Sequence, residues 1–171
     1  RAGRLPEGST TEEKSRTVTG ISELDRGLGG GIVLGSVVLL GGEPGAGKST
    51  LLLQLCGAIS DRCEVLYITG EESVRQIKLR ADRLQVPQQN IHLAAETDID
   101  DICGLIEQTK PDLVVIDSIQ TMHCGDVSSS AGSVSQVKEC SARLLAVAKS
   151  CEIPAFIVGH VNKDGAIAGP K

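Results

Sequence analysis

Aromatic side chains are nearly absent from this chain, which has one tyrosine, Tyr67, one phenylalanine, Phe156, and no tryptophan. That removes the stacked platforms on which proteins commonly lay unpaired bases. No apolar run approaches the roughly 20 residues needed to span a bilayer. The polar start, Arg1 to Arg16, also lacks the apolar centre of a signal peptide, so no membrane contact is expected and a cytoplasmic setting, or an organelle after import, is. The six cysteines, Cys56, Cys63, Cys103, Cys124, Cys140 and Cys151, include no Cys-x-x-Cys pair, which argues against a zinc site. Most lie in apolar periodic stretches and read as reduced thiols acting as small hydrophobes. A basic excess is missing too: the net charge is -5, so any nucleic-acid contact must come from a local surface and not from the field of the whole molecule.

What is present fits one soluble globular domain in length and composition. Residues 1–16 mix charges with Gly, Pro, Ser and Thr without apolar period and read as a flexible lead-in or linker remnant; the domain proper occupies 17–171. Ser22 caps a short expected helix containing Leu24 and Leu28, ended by Gly29-Gly30-Gly31. From there a strand-then-helix rhythm takes over. Val37 to Leu40 is a strand, Leu51 to Leu55 lie on a helix, and Val65 to Thr69 is a second strand. A helix through Ile77, Ala81 and Leu84 follows and ends before Pro87. Ile91 to Ala94 is a third strand, Asp98 to Thr109 a helix, and Leu113 to Ile116 a fourth strand. After a Ser/Gly-rich stretch come a long helix through Val137, Leu144, Leu145 and Val147 and a last strand, Ala155 to Val158. Continuous apolar strands alternating with helices predict an α/β fold: a mainly parallel, twisted sheet with helices on both faces. Such sheets bind ligands at the carboxyl ends of their strands.

The most informative stretch is Gly42-Glu43-Pro44-Gly45-Ala46-Gly47-Lys48-Ser49-Thr50, set between the first strand and its helix. Its spacing is that of a phosphate-binding loop, where successive backbone N–H groups wrap the phosphates and glycines allow close approach. Lys48 is expected to reach the β- and γ-phosphates, Ser49 to place its hydroxyl on Mg²⁺, and Thr50 to lie near the α-phosphate. ATP and Mg²⁺ are therefore the expected ligands. Asp117, after four apolar residues, is the expected second acidic group for Mg²⁺, on a strand placed beside the first. Glu71 and Glu72 follow the second strand, read as a neighbour of the nucleotide strand. Hydrolysis needs a carboxylate to orient the attacking water, and strand-end reach favours Glu71, with Glu72 as assistant or helix opener. His160 ends the last strand, where a polar side chain can feel the γ-phosphate.

Several motifs together extend this reading: Thr19 to Asp25 with Gly29 to Gly31, Gly42 to Thr50, Thr69-Gly70-Glu71-Glu72-Ser73, Val115 to Thr121, Gly132 to Val137 and Gly159 to Gly165. In this order they resemble the ATPase core of the bacterial RadA (Sms) family of RecA-like proteins of DNA repair and recombination. The resemblance runs from about Thr19 to the end of the chain. It implies a RecA-like P-loop NTPase fold, ATP hydrolysis, a homo-hexameric ring when full length, and helicase-like branch migration on single-stranded or branched DNA. It supports Lys48, Ser49, Thr50 and Asp117 as nucleotide and Mg²⁺ residues and Glu71 as the hydrolytic carboxylate. It also casts the loop before Val134, with Ser133, and the segment after His160, with Lys163, as DNA-facing.

The family's four-cysteine zinc module, its Lys-Asn-Arg-Phe-Gly motif and its Lon-protease-like domain have no counterpart here, so the chain reads as an excised core, incomplete at its carboxyl end, that hydrolyses ATP slowly. Two further readings stand beside the DNA motor: a RecA/KaiC-like regulatory ATPase acting on protein partners without DNA, and a nucleotide-binding scaffold with negligible turnover.

Overall fold

Five short apolar segments of this chain pair in parallel to form one sheet. The computed structural model describes residues 16–17, 32–33, 37–40 and 47–159. The two-residue strands β1 (Arg16–Thr17) and β2 (Ile32–Val33) pair antiparallel, so Arg16, the last residue of the expected lead-in, is already in a strand. Then come β3 (Val37–Leu40), α1 (Lys48–Ile59), β4 (Val65–Thr69), α2 (Val74–Arg83), β5 (Ile91–Ala95), α3 (Ile99–Thr109), β6 (Leu113–Asp117), a 3₁₀ turn (Ile119–Thr121), α4 (Val134–Cys151) and β7 (Ala155–Val158). The expected helix at Leu24 and Leu28, residues 42–46, the side chain of Lys48, His160 and Lys163 lie outside the described residues.

Helix boundaries follow from local chemistry. Ser73 and Gln76 form a reciprocal capping box at the start of α2. Asp98 accepts from the backbone N–H groups of Asp100 and Asp101 and opens α3. Ser133 accepts from Gln136 N–H and opens α4. Lys110 and Glu152 close α3 and α4 in the left-handed conformation, each returning its N–H to the last turn.

The strand order is β3-β7-β6-β4-β5, with every neighbouring pair parallel. Alternate residues divide the core in two, as the period of a strand requires. Val65, Tyr67, Leu113, Val115, Phe156 and Val158 pack with Leu52, Leu53, Cys56 and Ile59 of α1 and Ile77 and Ala81 of α2. On the other face Leu66, Ile68, Val114, Ile116, Ala155 and Ile157 meet α3 and α4 through Ile102, Ile106, Cys140 and Leu144. Cys56, Cys63, Cys124 and Cys140 are buried free thiols and Cys103 and Cys151 are half-buried. Leu145, read as part of the apolar side of its helix, is instead 38% exposed.

Sheet order corrects two expectations of adjacency. The strand of Asp117, β6, is not beside β3, because β7, the last to form in sequence, takes that place. Nor is β4, which leads to Glu71, a neighbour of β3, since both β7 and β6 lie between them. Register keeps the ends together nonetheless. Leu40 pairs with Val158, Val158 with Asp117, and Asp117 with Thr69, so one row of residues crosses the sheet at its carboxyl end. At about 4.8 Å per strand, Leu40 and Asp117 lie roughly 10 Å apart along this row, a span that the first turn of a following helix can bridge.

Candidate nucleotide site

Gly47 adopts φ +83° immediately before α1, a backbone state open to glycine and strained for other residues. That turn starts the helix at Lys48 and brings Ser49 into its first turn. Ser49 Oγ donates a hydrogen bond to Asp117 Oδ2 at 2.5 Å, joining the loop–helix junction to the end of β6. Tyr67 OH donates to the same Asp117 oxygen at 3.1 Å from β4. Both reach it because Tyr67, Thr69 and Asp117 share strand parity and face the side of the sheet on which α1 packs.

Asp117 is only 3% exposed. Burial raises its carboxyl above the usual carboxylate range; the hydrogen bonds from Ser49 and Tyr67 oppose that rise, while the charges of Glu71 and Glu72 add to it. Tyr67 is also pushed upward, first by burial and then by the neighbouring Asp117. A carboxylate kept from water and short of compensating charge is a seat for a cation. Magnesium favours hard oxygen donors and few protein ligands. The Ser49 hydroxyl and the Asp117 carboxylate are such donors side by side, so the residues present fit the ion.

The two glutamates after β4 are handled differently. Glu72 forms an ion pair with Nη2 of Arg80 from α2, and its main chain is bonded both ways to the Thr69 hydroxyl, at 3.0 and 3.2 Å. That pairing raises the Arg80 guanidinium further. Glu71 is exposed, and its Oε1 accepts from Ser118 Oγ at 3.1 Å. Ser118 follows Asp117 directly across a cis peptide bond and is fully buried. Gly70 donates its N–H to Asp117 O at 2.9 Å and sits against Thr121, whose Oγ1 would be 2.1 Å from any Cβ placed there. Gly70 thus lets the Glu71 turn close onto the Ser118–Thr121 turn.

Ser49, Asp117 and Glu71 therefore converge on one end of the sheet. Gly42 to Ala46, His160 and Lys163 are outside the described residues; Thr50 is half-buried in the first turn of α1. Ser133 lies elsewhere. Its hydroxyl caps α4 and donates to Ser129 Oγ at 2.8 Å, so a phosphate contact there has to share a hydroxyl already engaged. His92 bonds Glu64 at 2.6 Å and His123 lies 3.8 Å from Asp98, neither at the site. The sequence reading missed Tyr67, Ser118 and Arg80. Strand parity was a usable signal for Tyr67, since counting by twos puts it on the face of Asp117; no local pattern marked the other two.

Comparison with known proteins identifies the family. A family described as AAA domain matches residues 9–166. The chain is 51% identical over 160 residues to the DNA repair protein RadA of Haemophilus influenzae. It is 54% identical over 162 residues to that of Bacillus subtilis and 56% identical over 162 residues to that of Listeria monocytogenes. In each case the alignment covers 94% of this chain and 35% of the relative, so the chain spans about a third of the length of the curated relatives it matches. Among solved structures, a DnaB-like replicative helicase studied with primase superposes with a TM-score of 0.69 at 19% identity, over 85% of this chain and 43% of that one. That likeness concerns the fold, which is RecA-like. With its parallel sheet, its loop–helix junction and an acidic strand end meeting at one edge, the chain belongs to the AAA domain family.

Proposed function

We propose that this domain is the ATP-hydrolysing motor core of a RadA-like DNA repair protein, coupling turnover to DNA binding and branch migration. The observation that carries its chemistry is the contact between Ser49 and Asp117, which joins a phosphate-loop helix to an acidic strand end. The loop Gly42 to Thr50 holds the triphosphate through backbone N–H groups and Lys48, and Ser49 and Asp117 hold Mg²⁺. Mg²⁺ held by Ser49 and Asp117 would supply charge neutralisation at the phosphate oxygens. Glu71 orients the attacking water and receives its proton; Ser118 holds that carboxylate toward the site. Glu72, tied to Arg80, supports the turn and leaves the proton work to Glu71. His160, after the strand that pairs with β6, reports the phosphate state to the segment carrying Lys163, and the loop before Val134 with Lys163 contacts single-stranded or branched DNA.

The RadA names of the relatives support the repair setting, and a ring of six is part of this proposal. Among the described residues no helix is long and apolar enough to cross a membrane; the cytoplasmic setting belongs to this proposal.

The test is ATP turnover of the full-length protein with and without a single-stranded oligodeoxythymidylate. Turnover that requires Mg²⁺, is lost in Glu71→Gln with nucleotide binding retained, and rises with DNA is the expected result. Turnover indifferent to DNA at low and moderate salt transfers the domain to the regulatory class acting on protein partners. Absence of turnover in the wild type leaves a nucleotide-binding scaffold.

A further inference from the structure

Gln136, in the first turn of α4, is 2% exposed and uses its whole amide on the loop that precedes the helix. Its Oε1 accepts the N–H of Cys124 at 2.8 Å. Its Nε2 donates toward Ser129 O at 2.7 Å and Val127 O at 3.0 Å, with Cys124 O at 3.3 Å sharing one of the two hydrogens. Buried backbone N–H and C=O groups normally meet such demands within helices and sheets. Here one amide replaces the ladder bonds that residues 124–129, outside any helix or strand, lack. The same loop is held at Asp126 by Arg143 at 2.8 Å and at Ser129 by the Ser133 hydroxyl.

Cys124 lies seven residues after Asp117, beyond the Ile119–Thr121 turn that packs on Gly70. His123, just before it, is bridged to Asp98, and its N–H donates to Thr97 O at 2.9 Å. The clamp thus fixes the far end of a short, partly buried connection whose near end is Asp117.

We infer that Gln136 is a positioning residue: it holds loop 124–129 in one conformation and joins the DNA-facing loop to the strand that bears Asp117. This rests on the reading of that loop as DNA-facing. Without the amide the loop keeps its sequence but samples many conformations, and each binding event has to order it again.

The test compares the full-length wild type with Gln136→Met, which preserves side-chain length and loses the four contacts. In the wild type the Cys124 amide should exchange with solvent as slowly as amides of β6; exchange at the rate of open coil overturns the inference without any variant. In Gln136→Met, exchange at Cys124 should quicken at least about tenfold while Val114 to Ile116 keep their protection, and the oligodeoxythymidylate concentration for half-maximal stimulation should rise about tenfold with little change in the KM for ATP. A freed loop with unchanged DNA half-saturation overturns the inference alone. A wild type that ignores DNA overturns the DNA reading and this inference together.

Discussion

The hydroxyl of Tyr67, the chain's one tyrosine, donates to Asp117 Oδ2 at 3.1 Å from two strand positions below the carboxyl end of β4. Tyr67 is fully buried, so this bond and that of Ser49 are what the Asp117 carboxylate has in place of water on that oxygen. Tyr67→Phe keeps the ring in the core and removes one donor. It should cost about 1–2 kcal/mol of stability, measured by urea unfolding, because a buried acceptor is left short of a partner. A loss below about 0.3 kcal/mol contradicts this account.

Asp117 itself works against the nucleotide-free fold. Its carboxyl is raised above 3.8 chiefly by burial, so the folded chain holds that proton more tightly than the unfolded chain does. Its contribution to stability is fully present below pH 3.8 and is lost as pH rises through the folded value. Asp117→Asn, which still accepts from Ser49 and Tyr67, should gain on the wild type in nucleotide-free stability as pH rises from 3.8 to neutrality. The same variant should lose the increase in melting temperature that Mg·ATP gives the wild type. Parallel pH profiles for the two proteins would falsify the first half.

Glu71 and Glu72 should separate kinetically. Glu71→Gln is expected to lower single-turnover ATP hydrolysis by about 100-fold or more while nucleotide affinity holds. Glu72→Gln leaves Arg80 without its ionic partner and should act mainly on stability, with turnover reduced less than about tenfold. Equal losses in the two variants remove the assignment.

Two glycine substitutions of the same kind should have opposite signs. At Gly70 a new Cβ meets Thr121 Oγ1 at 2.1 Å and Thr121 Cβ at 2.8 Å, so Gly70→Ala should destabilise by about 1–3 kcal/mol and slow hydrolysis by displacing the Glu71 turn. Gly104, inside α3, has nothing within 4 Å of its Cβ position, and Gly104→Ala should stabilise by about 0.5–1 kcal/mol. Thermal unfolding of the pair reads both.

Burial pushes the thiols of Cys56 and Cys140 up to about 12 and those of Cys63 and Cys103 up to about 11 from 9.0. These groups are neutral in the fold where the unfolded chain ionises them. Their contribution is intact below pH 9 and disappears as pH climbs through 11 to 12. Unfolding free energy should therefore hold level from neutrality to pH 9, once the loss tied to Asp117 is complete, and fall steeply above it, and native protein at neutral pH should react with a bulky disulfide reagent at Cys56 and Cys140 only as fast as it unfolds.

Much of this was legible from residues alone. Val65 to Thr69 and Leu113 to Ile116 announced themselves as buried strands by their apolar runs, and the helices after them by apolar residues at helical spacing. Such features depend on neighbours within about four positions along the chain, so a linear reading reaches them. The type of side chain at the site, a serine after the loop and an acid after a strand, was legible for the same reason.

Only tertiary structure decided who meets whom. Ser49 and Asp117 are 68 positions apart, and their contact depends on β7 taking the place beside β3 while the row of strand ends stays in register. The Ser118–Glu71 bond likewise joins the ends of two strands far apart in the chain, while the Arg80–Glu72 pair and the Gln136 clamp depend on how a helix packs back on the loop before it. Strand order is chosen by the summed burial of two whole sheet faces, a property no window of the sequence contains.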